Sequence, residues 1–151
     1  MTRAGGWARA LLTAGVVLAA DQATKQIVTS SLGRGESVGV FSGLELTNTR
    51  NTGVAFGAFG GSGTVVAVLI GAVLVALVAY FARRATRARL WLPVGMLLGG
   101  AAGNLVDRVR EGAVIDFIDP VAWPAFNVAD ATIVTGVALL LYVLEAAPGR
   151  S

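Results

Sequence analysis

Four stretches of this chain carry no charged side chain: Ala10–Ala20, Thr64–Ala82, Leu90–Val106 and Ala131–Leu144. A helix on the surface of a soluble domain keeps a polar stripe for water, whereas a helix in hydrocarbon must avoid one. Crossing about 30 Å of hydrocarbon takes about 20 mostly apolar residues. Thr64–Ala82 nearly supplies that length alone, and the other three do so only with polar residues at one end. Composition points the same way: 55% of residues are hydrophobic and 14% charged, against about 45–50% and about 25% in soluble domains. The fold class expected is membrane all-α, a four-transmembrane-helix bundle in a single domain, 1–151. Its spans are placed at about 8–29, 63–82, 89–107 and 126–146, and its outer loops at about 30–62 and 108–125.

A net charge of +3 could indicate nucleic-acid binding, so the placement of the basic residues has to be read first. With the N-terminus cytoplasmic, Arg3, Arg9, Arg83, Arg84, Arg87, Arg89 and Arg150 fall inside, while Arg34, Arg50, Arg108 and Arg110 fall outside. Seven against four follows the positive-inside bias and places both termini in the cytoplasm. Glu36, Glu45, Asp107, Glu111, Asp116, Asp119 and Asp130 gather in or beside the outer loops. No basic face with interleaved aromatics exists, so no nucleic-acid partner is expected.

The first apolar stretch has the basic start, short apolar run and small residues of a cleavable secretory signal. It also continues past Asp21 through Ala23, Ile27, Val28 and Leu32, as a retained helix does. Both readings stand on these features. Asp21 and Lys25 are spaced i,i+4, so on a helix they face the same way and can pair. Such residues are expensive in lipid and usually line a site.

The first outer loop alternates glycine with Ser-Val-Gly-Val-Phe and Leu-Glu-Leu-Thr, which predicts short strands. Its end, Thr49-Arg50-Asn51-Thr52-Gly53, can turn at Asn51 and Gly53. The third span carries Gly95, Gly99 and Gly103, a small-residue stripe that admits a neighbouring helix closely. At its outer end Asn104, Asp107 and Arg108 share one helical side. Asp116 lies in the second outer loop among Val114, Ile115, Phe117 and Ile118, where desolvation raises a carboxyl pKa. Trp123 suits a membrane interface and Pro124 a first turn. Since Ala131–Leu144 is too short alone, Asn127 and Asp130 belong to the last span's outer end.

Without Cys or His, disulfides, zinc and iron–sulfur sites, thiol nucleophiles and Ser–His triads are excluded. No metal and no cofactor is expected. A Ser–Lys dyad is disfavoured because the only lysine is Lys25, and Ser30 and Ser31 lie off its face. Asp116 and Asp130 remain as a pair that can share one proton, the ionised member activating water and the protonated one polarising a carbonyl.

Five blocks carry a family resemblance: Asp21-Gln22-Ala23-Thr24-Lys25, Asn51-Thr52-Gly53-Val54-Ala55-Phe56-Gly57, Gly103-Asn104-Leu105-Val106-Asp107-Arg108, Gly112-Ala113-Val114-Ile115-Asp116-Phe117 and Phe126-Asn127-Val128-Ala129-Asp130. In that order and between four apolar stretches, the chain resembles the lipoprotein signal peptidases (signal peptidase II), bacterial inner-membrane aspartic endopeptidases. The resemblance covers nearly the whole chain and departs at no motif position. It implies a catalytic dyad of Asp116 and Asp130, with Asp21, Lys25, Asn51, Gly53, Asn104, Asp107, Arg108 and Asn127 binding substrate or supporting the site. It implies diacylglyceryl-modified prolipoproteins as substrates, cut just before the lipidated cysteine. It also implies a retained first span, a small β-rich extracytoplasmic cradle in the first outer loop, and inhibition by globomycin. Partners are then the prolipoprotein and membrane lipids, with the enzyme a monomer. An ion-coupled transporter is the reading from another class, with Asp21, Asp116 and Asp130 as a relay. Against it, the carboxylates gather at one side and the spans show no repeat. A non-catalytic membrane scaffold would explain the glycine stripe but leaves the aspartate pair unused.

Overall fold

The computed structural model describes residues 2–53, 63–87 and 89–146. The Val54–Gly57 part of the second block, Gly60, Gly61 and Arg150 lie outside them. The described elements run α1 (Arg3–Ser31), β1 (Ser37–Phe41), β2 (Leu44–Asn51), α2 (Gly63–Arg84), α3 (Trp91–Glu111), β3 (Val114–Pro120) and α4 (Val128–Glu145). Among the described residues one helix, α4, is by itself long and apolar enough to cross a membrane. Asp21 and Lys25 break the apolar run of α1, and Asn104, Asp107 and Arg108 break that of α3 near its end, while both helices continue through them.

Helix α1 starts where Thr2 Oγ1 accepts a hydrogen bond from Gly5 N at 3.1 Å, satisfying one of the free donors of a first turn. Glycine sets how it packs. A Cβ added at Gly95 would stand 2.6 Å from Ala10 O, and one at Gly99 2.6 Å from Ala14 O, so α1 and α3 run parallel with their backbones nearly touching. On the other side of α3, a Cβ at Gly100 would stand 2.7 Å from Ala129 O, and at Gly136 of α4 one would lie 3.3 Å from Pro93 O. Helix α4 is therefore antiparallel to α3. Small residues replace knobs and holes here, the packing that helices use where burial of oil against oil gives no drive.

The two ends of the helices differ. At one, Ala10, Phe81, Ala85, Leu90 and Val94 form a buried apolar cluster, with the Trp7 and Phe81 rings edge to face at 4.8 Å. Arg9 stacks over Trp91 at 5.9 Å and Arg84 over Tyr80 at 5.4 Å, so arginines cover aromatic faces there. At the other end lie the C-termini of α1 and α3, the N-terminus of α4, and the sheet.

The sheet is antiparallel in the order β1-β2-β3. Gly43, at φ 88°, closes the β1–β2 hairpin. Thr49 pairs with Asp116 and Asn51 with Val114, after a register shift between Leu46 and Thr49. The strands expected in the first outer loop are present, but the sheet is not confined to it: β3 comes from the second loop. Val114–Phe117 is buried at every position, so its sequence lacks the alternation that marks a half-exposed strand. Asp116 thus sits on a strand and not on a loop. Gly112, at φ 70°, ends α3 in the left-handed conformation and lets the chain turn directly into β3.

Candidate active site

Lys25 is the place where the elements meet. Its ammonium lies 2.8 Å from Asp21 Oδ2 and 2.6 Å from Asp107 Oδ2, and all three side chains are buried. Buried charges are tolerable only when their remaining lone pairs and protons are also satisfied, and here they are. Ala129 N, in the first turn of α4, donates to Asp21 Oδ1 at 3.0 Å. Ile115 N of β3 donates to Asp107 Oδ2 at 3.1 Å, and Gln22 Nε2 donates to Asp107 Oδ1 at 2.9 Å. One salt-bridged cluster therefore fastens α1, α3, β3 and α4 together. The i,i+4 pairing expected for Asp21 and Lys25 is present. Asp107, however, points into this cluster, Arg108 lines a cleft, and Asn104 reaches both.

The third donation of Lys25 goes to Asn104 Oδ1 at 3.2 Å. A lysine can only donate, so it holds the oxygen of that amide and turns the nitrogen outward. Asn104 Nδ2 then donates to Asp130 Oδ1 at 2.8 Å. Asn127 repeats the device from the start of α4. Its Oδ1 accepts from Asp130 N at 2.9 Å, and Asp130 Oδ2 accepts from Asn127 N at 3.3 Å, a reciprocal cap for the free donors of the helix. That leaves Asn127 Nδ2 to donate to Asp116 Oδ1 at 2.8 Å, shared with Asn104 Oδ1 at 3.1 Å and Ile115 O at 3.2 Å. A single fully buried asparagine bridges the two aspartates.

Asn51 closes the outer side. Gly53 N donates to Asn51 Oδ1 at 2.9 Å, which turns Asn51 Nδ2 onto Asp116 Oδ2 at 3.0 Å. Gly53 has φ 77°, a conformation that side chains disfavour, and a Cβ there would lie 4.0 Å from Arg108 Nη2. Arg108 Nη1 donates to Asn104 O at 3.3 Å. Burial pushes the Asp116 carboxyl above the usual carboxylate range, and the nearby Asp130 charge adds to the rise, against lowering hydrogen bonds from Asn51 and Asn127. The desolvation expected for Asp116 is found.

Asp130, Asn104 and Arg108 occupy the polar end of a cleft of about 600 Å³ whose other walls are apolar, formed by Leu74 and Leu77 of α2, Leu97 of α3 and Ile133 of α4. Among the described residues no group of three or more carboxylates could hold a metal ion. The structure thus brings Asp116, Asp130, Asn51, Asn104, Asn127, Arg108 and the Gly53 turn to one place, and sets Asp21, Lys25 and Asp107 behind it. Sequence reasoning misses the part played by Gln22: it bonds to Asp107 and to Gly103 O at 3.3 Å, and only its place between Asp21 and Lys25 hints at this.

Residues 13–145 match the family described as Signal peptidase (SPase) II. The chain belongs to the signal peptidase II family. A lipoprotein signal peptidase of Pelotomaculum thermopropionicum is 43% identical over 134 residues, spanning 85% of this chain and 86% of that protein. One from Moorella thermoacetica is 41% identical over 136 residues, spanning 89% and 91%. A solved bacterial membrane enzyme superposes with a TM-score of 0.84 at 34% identity, covering 91% of this chain and 93% of its own. Membership in the signal peptidase II family makes this chain a membrane protease of the lipoprotein-processing class.

Proposed function

We propose that this protein hydrolyses the signal peptide from diacylglyceryl-modified prolipoproteins at the bond just before the lipidated cysteine, with Asp116 and Asp130 as its catalytic dyad. The observation that carries this reading is the Asn127 bridge: one buried amide donates to Asp116 while its residue caps and is capped by Asp130, and Asp130 stands at the polar end of an apolar cleft. Two carboxyls in such a place share one proton, since like charges side by side resist ionising together. Asp116, buried and raised, suits the acid that polarises the scissile carbonyl. Asp130 opens on the cleft and suits the base that takes a proton from water. The proton then returns to the leaving amine as the peptide bond breaks.

The substrate's two lipid-soluble parts, its signal helix and its diacylglyceryl group, fit a cleft with apolar walls between α2, α3 and α4. Asn51, Gly53, Asn104, Arg108 and Asn127 would then contact or orient the reacting region, and Asp21, Lys25 and Asp107 would hold its frame. In the same reading the single domain of residues 1–151 crosses the cytoplasmic membrane four times, as a monomer, through α1, α2, α3 and α4. Both termini are cytoplasmic and the site is extracytoplasmic.

The test supplies purified enzyme with diacylglyceryl-modified prolipoprotein and with the same precursor unlipidated, and reads the new N-terminus by mass. Release of a lipidated-cysteine N-terminus, from the lipidated substrate alone, is the expected result. Equal cleavage of both precursors, or a cut elsewhere, defeats the proposal.

A further inference from the structure

The end of the sheet away from Asp116, at the β1–β2 hairpin, is apolar and open. Phe41 at the end of β1 is 68% exposed, and Val121 and Trp123 just beyond β3 are 81% and 69% exposed. They share one tip, because Val121 N donates to Gly43 O at 3.2 Å and Leu44 pairs with Pro120. No charged residue occurs in 37–44 or in 120–129. The first charges encountered are Glu45 and Asp119, paired across the strands and, by strand alternation, on the face opposite Leu44 and Pro120. The strands leading to the tip therefore carry Leu44, Pro120 and, paired with Leu44, Phe41 on one face and the two acids on the other. Exposed apolar surface of this kind marks an interaction site.

We propose that this tip is an interfacial anchor, seated in the outer surface of the lipid bilayer. Lipid is favoured over a protein partner by continuity. Trp123 stands five residues before Val128, so at most about 17 Å of chain separates it from the start of α4, the helix apolar enough to cross a membrane. Tryptophan is also the side chain that settles at headgroup level, its ring in apolar chains and its N–H in polar surroundings. The consequence concerns the site. Strand β3 joins Pro120 to Asp116 across four residues, at most about 13 Å at about 3.3 Å per residue. Anchoring the tip fixes the height of Asp116 against the bilayer surface, and a bond next to a lipidated residue must be met at a fixed height. The inference rests on the membrane placement of the helices proposed above.

The chain has no cysteine and three tryptophans, which makes the test direct. A Trp7→Phe, Trp91→Phe protein in vesicles of phosphatidylethanolamine and phosphatidylglycerol reports on Trp123 alone. Lipids brominated near the headgroup end of their chains should quench it strongly, and iodide in the water weakly. A nitroxide on Ser42→Cys, at the hairpin turn, should lie about 5–10 Å below the headgroup boundary. Iodide quenching without bromolipid quenching, or a nitroxide in bulk water, overturns the anchor, as do disulfide-linked dimers of the unlabelled Ser42→Cys protein without lipid contact. Phe41→Asp with Val121→Asp should expel the nitroxide and raise the KM for vesicle-borne substrate several-fold more than for detergent-dispersed substrate. An unchanged ratio overturns the link to site height. The depth measurements need no turnover, so they stand apart from the assignment of the dyad.

Discussion

Replacing Asn127 by Ser separates what this residue does for the fold from what it does for the aspartates. Serine is as good an N-cap as asparagine, so its Oγ can accept from Asp130 N as Asn127 Oδ1 does at 2.9 Å. What serine cannot do is reach Asp116, Asn104 and Ile115 O, which the Asn127 amide contacts at 2.8, 3.1 and 3.2 Å. Asn104 Oδ1 keeps Lys25 and Asp116 Oδ2 keeps Asn51, so the acceptors that lose this donor are Asp116 Oδ1 and the Ile115 carbonyl. Leaving one buried acceptor unsatisfied costs about 1–3 kcal/mol in stability. The lost bond goes to Asp116, the protonated member in the proposed reading, and a neutral hydrogen bond is worth about 0.5–1.5 kcal/mol, or a roughly two- to tenfold drop in kcat/KM at about 1.4 kcal/mol per tenfold. Cleavage of lipidated substrate by a variant with a retained thermal transition is the assay. Because the Asn127 bond lowers the Asp116 pKa, the variant's Asp116 should also titrate at higher pH than in the wild type. Wild-type turnover and pH profile in a folded Asn127→Ser protein would refute the reasoning that this amide couples the aspartates.

Gly99→Ala should lower the melting temperature, its Cβ meeting Ala14 O at 2.6 Å at a cost of about 1–3 kcal/mol; Gly15→Ala, with nothing within 4 Å, should leave it unchanged or raise it. Lys25→Met should prevent stable folding, since Asp21 and Asp107 would stay buried without their cation, a loss of about 3–5 kcal/mol, visible as loss of a cooperative melt. The Asp116 carboxyl has a folded pKa above its unfolded one. The folded state therefore holds more protons in the interval between them, and stability falls as pH rises through the folded value. In Asp116→Asn this part of the slope should vanish, which melting curves of the two proteins across pH will register.

The helices, the Asp21–Lys25 pair and the desolvation of Asp116 were legible in the sequence because each rests on a local rule. Charge-free runs mark where the helices lie, i,i+4 spacing pairs Asp21 with Lys25, and apolar neighbours desolvate Asp116. What was not legible depends on contacts between distant segments. Strand β3 escaped because Val114–Phe117 is buried on both faces and shows no period. The separation of Asp107 from Arg108 escaped because both stand within about a turn of Asn104 on one broad side of α3, and only the position of α1 against Gly99 and Gly103 sends Asp107 to Lys25 and leaves Arg108 on the cleft. Asn127 was placed near the site by its helix spacing to Asp130, but its bridging amide follows from the fold of β3 over the start of α4.

The central claim is that Asp116 and Asp130 work as one unit. Its most direct test is the rate of cleavage of diacylglyceryl-modified prolipoprotein by Asp116→Asn, Asp130→Asn and the double variant. Groups that act together are strongly non-additive. Each single variant should lose turnover by orders of magnitude, and the double should be no slower than either. Near-wild-type cleavage by one single variant, or two partial losses that multiply in the double, would contradict the shared dyad.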